Sequence, residues 1–394
     1  MPTDSVQDIL STIIGMETIS ASSNLMMVEY IEALLKESGV SARRVPAPDG
    51  TKSSLLATIG DPARPGVVLS AHTDVVPAAG QAWSVPAFRA TCRDGRIYGR
   101  GTTDMKGFLA TVLAHVPSFA AAAAASDGAC PLHLAFSYDE EVGCKGAPDL
   151  VRALMESVAP PALALVGEPT RMRVVRAHKG KIARRLTITG RGGHSAMPHR
   201  AANAVDAAAA LAVGLRTLAR AEAATAGDGA FDPPYTTVHV GALHGGTALN
   251  LVPDAATLDY EIRYLPGTDI APLLAAIDAY VATERAGLKA QAAEAEITST
   301  ELSAYPALNT AADCAAARVV AALAQDDAAP TTVAFGTEAG LYAAAGIPTL
   351  VCGPGDMARG HKADEWIGLD ELAAATAMMD RLAHQMRRPS GDWI

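Results

Sequence analysis

The chain has 394 residues, 49% of them apolar, and a net charge of -10 at pH 7; that length allows two or three domains with a large core. The acidic balance argues against nucleic acid and anionic membranes as partners, and no run approaches ~18 consecutive apolar residues, so no membrane-spanning helix is expected. The start, MPTDSVQDIL, reads as a capped helix and not a secretory leader, and five scattered cysteines (Cys92, Cys130, Cys144, Cys314, Cys352) without paired short spacings fit a reducing cytoplasm.

Residues 5 to 38 carry helical periodicity through Ile9, Ile13, Ile14, Met27, Ile31, Leu34 and Leu35, with Gly39 as the stop. From there to about residue 176, short β runs alternate with helical stretches, which predicts βαβ units and a largely parallel sheet. The alanine run around 120–125 reads as a helix end. From about 177 to 302 the order changes to strand (Ile182 to Ile188), helix (Ala202 to Arg220), two strands (Thr236 to Leu243, Thr257 to Tyr264), helix (Ile270 to Ala286) and strand (Ala293 to Ser299). That βαββαβ order predicts an inserted ferredoxin-like α+β unit. Strand–helix alternation resumes near Pro306, so the first domain is expected to be discontinuous, 1–176 plus 303–394, with 177–302 as the insertion.

Chemistry-bearing residues cluster after the apolar runs. Val67-Val68-Leu69 leads into SAHTD, Leu132 to Phe136 into SYDEE, Leu163 to Val166 into GEP, and Thr349 to Cys352 through GPGD toward His361. Ligands of an open α/β sheet bind beyond the carboxyl ends of its strands. Four strand ends would thus deliver two histidines and several carboxylates to one rim. Taken singly, each piece has a plainer reading. His72 and Asp74 could be a surface pair, Asp139-Glu140-Glu141 a solvated loop, Glu168 a helix cap, and His361 an exposed loop histidine. GRGTTDMKG superficially resembles a dinucleotide loop, but Asp104 stands at the third glycine position and no ribose-binding acid follows. A tight turn presenting Asp104 inward, before a helix starting at Met105 or Lys106, fits better.

Taken jointly, the ligand count closes. One metal could take His72 and Glu168, the other His361 and Glu141, with Asp104 bridging and Glu140 left as a free base. In His-x-Asp, one residue can bind metal while the other orients an imidazole. Nitrogen and oxygen ligands without thiolate suit two zinc ions, with cobalt or manganese as alternatives.

The segments SAHTDVVP, YGRGTTDMKG, SYDEEVG, VGEPT, AHKG, GRGGHSAMPH, LNLVPD, EIRYLPG and GHKADEW resemble, in order and over nearly the whole chain, those of the di-zinc amidohydrolase and metallopeptidase family. That family includes acetylornithine deacetylase, succinyl-diaminopimelate desuccinylase, aminoacylase and glutamate carboxypeptidase. The resemblance implies the ligand set above, with Asp74 as orienter, Glu140 as general acid/base and a non-proline cis peptide after Asp104. It also implies that the inserted unit is a lid and dimerisation domain in a homodimer. There His194 would reach the partner copy's site and stabilise the oxyanion, while Asn250 and Arg263 hold the substrate carbonyl and α-carboxylate. His115, His133, His239, His244 and His384 are expected to be structural or exposed.

Within the family, AHKG, EIRYLPG and FGTEAGLYAAAGIPTLVCGPG resemble the acetylornithine deacetylase branch, although Thr103 stands where that branch often has cysteine or serine. The expected reaction is hydrolysis of N-acetyl-L-ornithine, with Lys179, Thr337 and Glu338 as further substrate-binding residues and Glu338 facing the ornithine ammonium. Other acyl specificities (succinyl-diaminopimelate, acetylcitrulline, a dipeptide) are the enzymatic alternatives. A non-catalytic binding relative is the remote one; such a chain should have lost a ligand or the base, and this one retains both.

Overall fold

The computed structural model describes residues 5–394. They divide into two compact units, one comprising the N-terminal part through Ala177 with Leu308–Thr332 and Thr337–Ile394, the other His178–Ala307 with Val333–Gly336. The second unit runs past the expected residue 302 because its last strand, Glu296–Tyr305, stays paired with Gly180–Thr189 as far as Tyr305 opposite Lys181.

In the first unit, four strands lie side by side and parallel, in the order Leu132–Ser137, Val67–His72, Leu163–Val166, Thr349–Val351. Every residue of the four is buried. Such continuous apolar runs suit strands covered by helices on both faces, and each fully buried Val or Leu contributes about 1.5–3 kcal/mol. The sheet is parallel only at this centre. Ser53–Ile59 and Ala42–Pro46 add an antiparallel flank on the Leu132 side, and Val175–His178 runs antiparallel to Thr349–Val351 on the other.

The expected helical stretch at residues 5–38 is two helices, Val6–Ile14 and Leu25–Glu37. Ser5 and Asp8 form a reciprocal capping box on the first. The break between them has a purpose. The Thr18 hydroxyl donates to the Thr73 carbonyl at 2.6 Å, the Ser20 hydroxyl to Asp74 Oδ2 at 2.7 Å, and Asn24 Nδ2 to Thr73 Oγ1 at 2.9 Å. These polar residues interrupt the helix and clamp the segment that carries His72 and Asp74. The alanine run ends a helix, Val116–Ala124.

The second unit is a four-stranded antiparallel sheet in the order Thr237–Gly245, Ala255–Tyr264, Gly180–Thr189, Glu296–Tyr305, with helices Ala204–Ala223 and Ala271–Gln291. This is the βαββαβ unit read from the sequence. Alternating residues of the sheet (Leu186, Ile188, Leu258, Ile262) pack with Leu211, Leu215, Ile277 and Val281 of the helices. The period of two reflects a sheet with one covered face. No single helix among the described residues is long and apolar enough to cross a membrane. All five cysteines are free.

Candidate metal centre

Each parallel strand ends by delivering a polar residue to the same rim. His72 is the last residue of its strand and 1% exposed. Glu140 and Glu141 follow Leu132–Ser137 in a turn. Glu168 follows Leu163–Val166 by two residues. Between them Gly167 passes so close to Phe108 that a Cβ there would lie 2.0 Å from the ring, so only glycine fits. Asp104 comes from the turn before helix Gly107–Ala114, which starts one or two residues later than expected because Asp104 and Met105 have non-helical dihedrals. Gly101, at φ +82°, opens that turn. The Asp104–Met105 peptide is cis, as the resemblance implies.

Asp104 stands at the centre. Its Oδ1 lies 3.3 Å from His72 Nε2 and its Oδ2 3.0 Å from His361 Nε2. Around the first oxygen, Glu168 Oε1 is 3.9 Å from His72 Nε2; around the second, Glu141 Oε2 is 3.0 Å from His361 Nε2. Two donor groups result, His72–Asp104–Glu168 and Asp104–Glu141–His361, each with ligand atoms within 4.8 Å of one another. His361 is the exposed member, its side chain 51% accessible.

Asp74 departs from the simple picture of a carboxylate orienting an imidazole. His72 Nδ1 lies 2.8 Å from the main-chain carbonyl of Asp74 and 3.6 Å from its carboxylate. The carboxylate instead accepts the N–H groups of Glu140 (3.0 Å) and Glu141 (3.3 Å) and the Ser20 hydroxyl. So one residue orients His72 through its backbone and the Glu140–Glu141 turn through its side chain. Asp139 is neutralised separately by Lys52 at 2.6 Å.

The cluster is short of positive charge. Burial, with Glu141 and Asp104 nearby, pushes Glu140 up to about 8, and burial beside Asp104 pushes Glu141 up to about 7. Burial and Asp104 also raise Glu168 well above the carboxylate range. Hydrogen bonds to Asp104 and Glu141 lift His361 to about 10. His72 rises too: burial works against it, but the bond to Asp104 and the charges of Glu168, Asp74 and Glu140 together outweigh that. Asp104 is lowered: the two histidines overcome its desolvation. Crowded acids of this kind are stabilised by cations. Glu141 Oε1 and Glu168 Oε2 are buried without a hydrogen-bond partner. Unpaired buried carboxylate oxygens, two imidazoles and a shared aspartate fit a pair of divalent ions with N/O preference.

The other expected site residues fall into three groups. His194, Asn250, Arg263 and Lys179 belong to the second unit. There His194 pairs with Leu251 in a two-stranded ladder, and the Asn250 carbonyl accepts Ser195 N–H at 3.1 Å, which brings His194 and Asn250 to one exposed tip. His194 Nδ1 accepts the Ala196 N–H at 3.0 Å, so a neutral ring carries its proton on Nε2. Arg263 donates to Tyr305 Oη at 2.6 Å and to Glu261 Oε1 at 3.1 Å.

Lys179 and Glu338, expected as substrate contacts, are both buried among protein partners. Lys179 is 1% exposed and gives its ammonium protons to the carbonyls of Pro233 and Tyr235, both at 2.7 Å, clasping a loop. Glu338 is also 1% exposed, and its two oxygens accept from Ser70 and Ser137 beside Tyr342. Thr337 is fully buried, its hydroxyl capping Ala339 N–H at 3.0 Å. Ser20 and Glu365 escaped the sequence reading. Ser20 carries no signal, whereas Glu365 lies in the GHKADEW segment already singled out for His361.

A family model described as "Peptidase family M20/M25/M40" matches residues 68–385. The acetylornithine deacetylase of Myxococcus xanthus is 35% identical, covering 95% of this chain and 96% of the relative. That of Pasteurella multocida (strain Pm70) is 31% identical over 92% and 91%. Among solved structures, the M20 family metallo-carboxypeptidase Sso-CP2 of Sulfolobus solfataricus superposes with a TM-score of 0.78 at 17% identity, covering 98% and 99% of the two chains. The Bacillus subtilis YXEP protein, a dinuclear metal binding peptidase from the M20 family, gives 0.63 at 14% identity over 96% of each chain.

Proposed function

From the premise that this chain belongs to peptidase family M20/M25/M40 and is a metal-dependent hydrolase, we propose that it cleaves N-acetyl-L-ornithine to L-ornithine and acetate, a step of arginine biosynthesis in the cytoplasm. The observation that carries the chemistry is the Asp104 carboxylate, which turns one oxygen to each of two three-residue donor groups. The substrate rests on the full-length relatives named acetylornithine deacetylase.

His72, Asp104 and Glu168 would hold one zinc ion and Asp104, Glu141 and His361 the other; when bound, such ions would supply Lewis acidity and make water acidic enough to lose a proton at about pH 7. Glu140 does the proton work. It sits beside the cluster without belonging to either donor group, and Cys144 Sγ–H donates to its Oε1 at 3.4 Å. It takes a proton from the attacking water and returns it to the departing α-amine. His194, with its proton on Nε2, donates to the oxyanion as the acyl carbon becomes tetrahedral. Arg263 holds the α-carboxylate with the guanidinium protons that Glu261 and Tyr305 leave free, and exposed Asn250 holds the acyl carbonyl. In this reading His194 serves the metal centre of a second copy, so the active form is a homodimer joined through the inserted units.

A substrate panel tests the assignment. Zinc-loaded protein should show kcat/KM for N-acetyl-L-ornithine at least roughly tenfold above succinyl-diaminopimelate, acetylcitrulline and dipeptides, the scale set by one well-used polar contact. A higher value for any of those three would reassign the substrate.

A further inference from the structure

The carboxylate of Glu365 is buried, 1% exposed, and lies directly beneath the Asp104 turn. Its Oε1 accepts the main-chain N–H groups of Thr103 at 3.0 Å and Asp104 at 3.1 Å. Its Oε2 accepts the N–H of Gly101 at 3.0 Å and Arg100 Nη1 at 2.7 Å. A carboxylate offers about four lone-pair sites, and all four are used here, three of them on one turn of backbone. The main chain around Glu365 adds to the attachment. Its carbonyl accepts Gly99 N–H at 2.9 Å, and the carbonyl of Trp366 accepts the Thr103 hydroxyl at 2.8 Å. Residues 366–368 then pair antiparallel with 96–98.

Glu365 follows His361 by four residues. It therefore ties two loops together, the one that presents Asp104 and the one that presents His361, where Asp104 Oδ2 and His361 Nε2 stand 3.0 Å apart. Arg100 reinforces the tie by reaching the Lys362 carbonyl at 3.3 Å, and Gln81 Nε2 holds the His361 carbonyl at 2.9 Å. The other donor group is built differently. His72 and Glu168 end or follow neighbouring strands whose register, Val67 opposite Leu163 through Ser70 opposite Val166, is set by the sheet itself.

We propose that Glu365 is a positioning residue that sets the Asp104–His361 relationship, and so governs one of the two metal positions selectively. This rests on the metal-pair reading above. Disturbing Glu365 displaces two of the three donors of the Asp104–Glu141–His361 group but only the shared Asp104 of the His72–Asp104–Glu168 group. In Glu365→Gln, the side-chain amide would turn a donor toward the donors Gly101 N–H and Arg100, breaking one half of the tie while preserving size. Glu365→Asp keeps the charge but withdraws the carboxylate by one methylene.

The test is cobalt(II) titration of metal-stripped protein followed by visible absorption. His361→Ala and Glu168→Gln proteins supply the bands of each position alone. Wild type should bind two ions per chain. Both Glu365 variants should lose affinity at the Glu141/His361 position by roughly tenfold or more, the scale of losing a ligand-orienting contact, with the His72/Glu168 position changed by no more than about threefold. Circular dichroism of the stripped variants should match wild type. Equal loss at both positions, no loss at either, or a variant unfolded before metal is added would overturn the positioning role. Fewer than two ions on wild type would instead sink the metal-pair reading on which it stands.

Discussion

His72 and Asp74 are linked through the main chain: the imidazole Nδ1 meets the carbonyl of Asp74 at 2.8 Å, and the Asp74 carboxylate points elsewhere, to the N–H groups of Glu140 and Glu141. Replacing Asp74 by alanine should therefore leave His72 oriented while loosening the turn that carries the proposed base. Turnover should fall by roughly 10–100-fold, the usual cost of removing an orienting group, with both ions retained. Steady-state kinetics together with a metal count by plasma emission checks this. Loss of the ion at His72 with turnover unchanged would contradict it.

Glu140 is the only carboxylate of the cluster that is neither in a donor group nor engaged in holding the Glu140–Glu141 turn. Glu140→Gln should lower kcat by roughly 10²–10⁴-fold, as expected for a general acid–base group, with two ions still bound. Wild-type turnover in this variant would remove Glu140 from the mechanism.

The parallel core was legible because doubly covered strands are mostly apolar, and the polar residue that ends each run stands out. The inserted unit was legible for the opposite reason: its strands alternate, as in Ala256, Leu258, Tyr260 and Ile262 facing the core. Burial of individual charges was not legible. Glu338 and Lys179 promised complementarity to an amino acid substrate, yet each is enclosed by partners distant in sequence, Ser70 and Ser137 for one, Pro233 and Tyr235 for the other. The roles of Asp74 and Glu365 were hidden too, because both act on backbone N–H groups, which every residue except proline possesses.

His133 gives stability a pH dependence away from the centre. Burial lowers it from 6.5 to about 4, with Nδ1 beside the Thr58 hydroxyl at 3.0 Å and Nε2 unpartnered. The folded chain holds the ring neutral, so the unfolded chain binds more protons between pH 6.5 and 4. Its contribution is full above pH 6.5 and is lost as pH falls toward 4, a loss of at most on the order of 3 kcal/mol. The stability difference between wild type and His133→Asn, from denaturant melts at each pH, should shrink across that window. A constant difference would show that the ring titrates normally.

His194 is exposed on the second unit with its Nε2 proton directed away from the Ala196 contact. If it serves a second copy, inactive Glu140→Ala and His194→Ala proteins should regain hydrolysis when their subunits are mixed, because one centre in the heterodimer has both groups. Heterodimers seen by native mass spectrometry without recovered activity would show that His194 does not serve the partner copy.

Whether Asp104 bridges two metal ions is read directly by anomalous diffraction at the zinc edge from zinc-soaked crystals. The expected map has two peaks per chain on either side of the Asp104 carboxylate, one against His72 and Glu168, the other against Glu141 and His361. A single peak, or a pair of which either lies out of reach of Asp104, would contradict it.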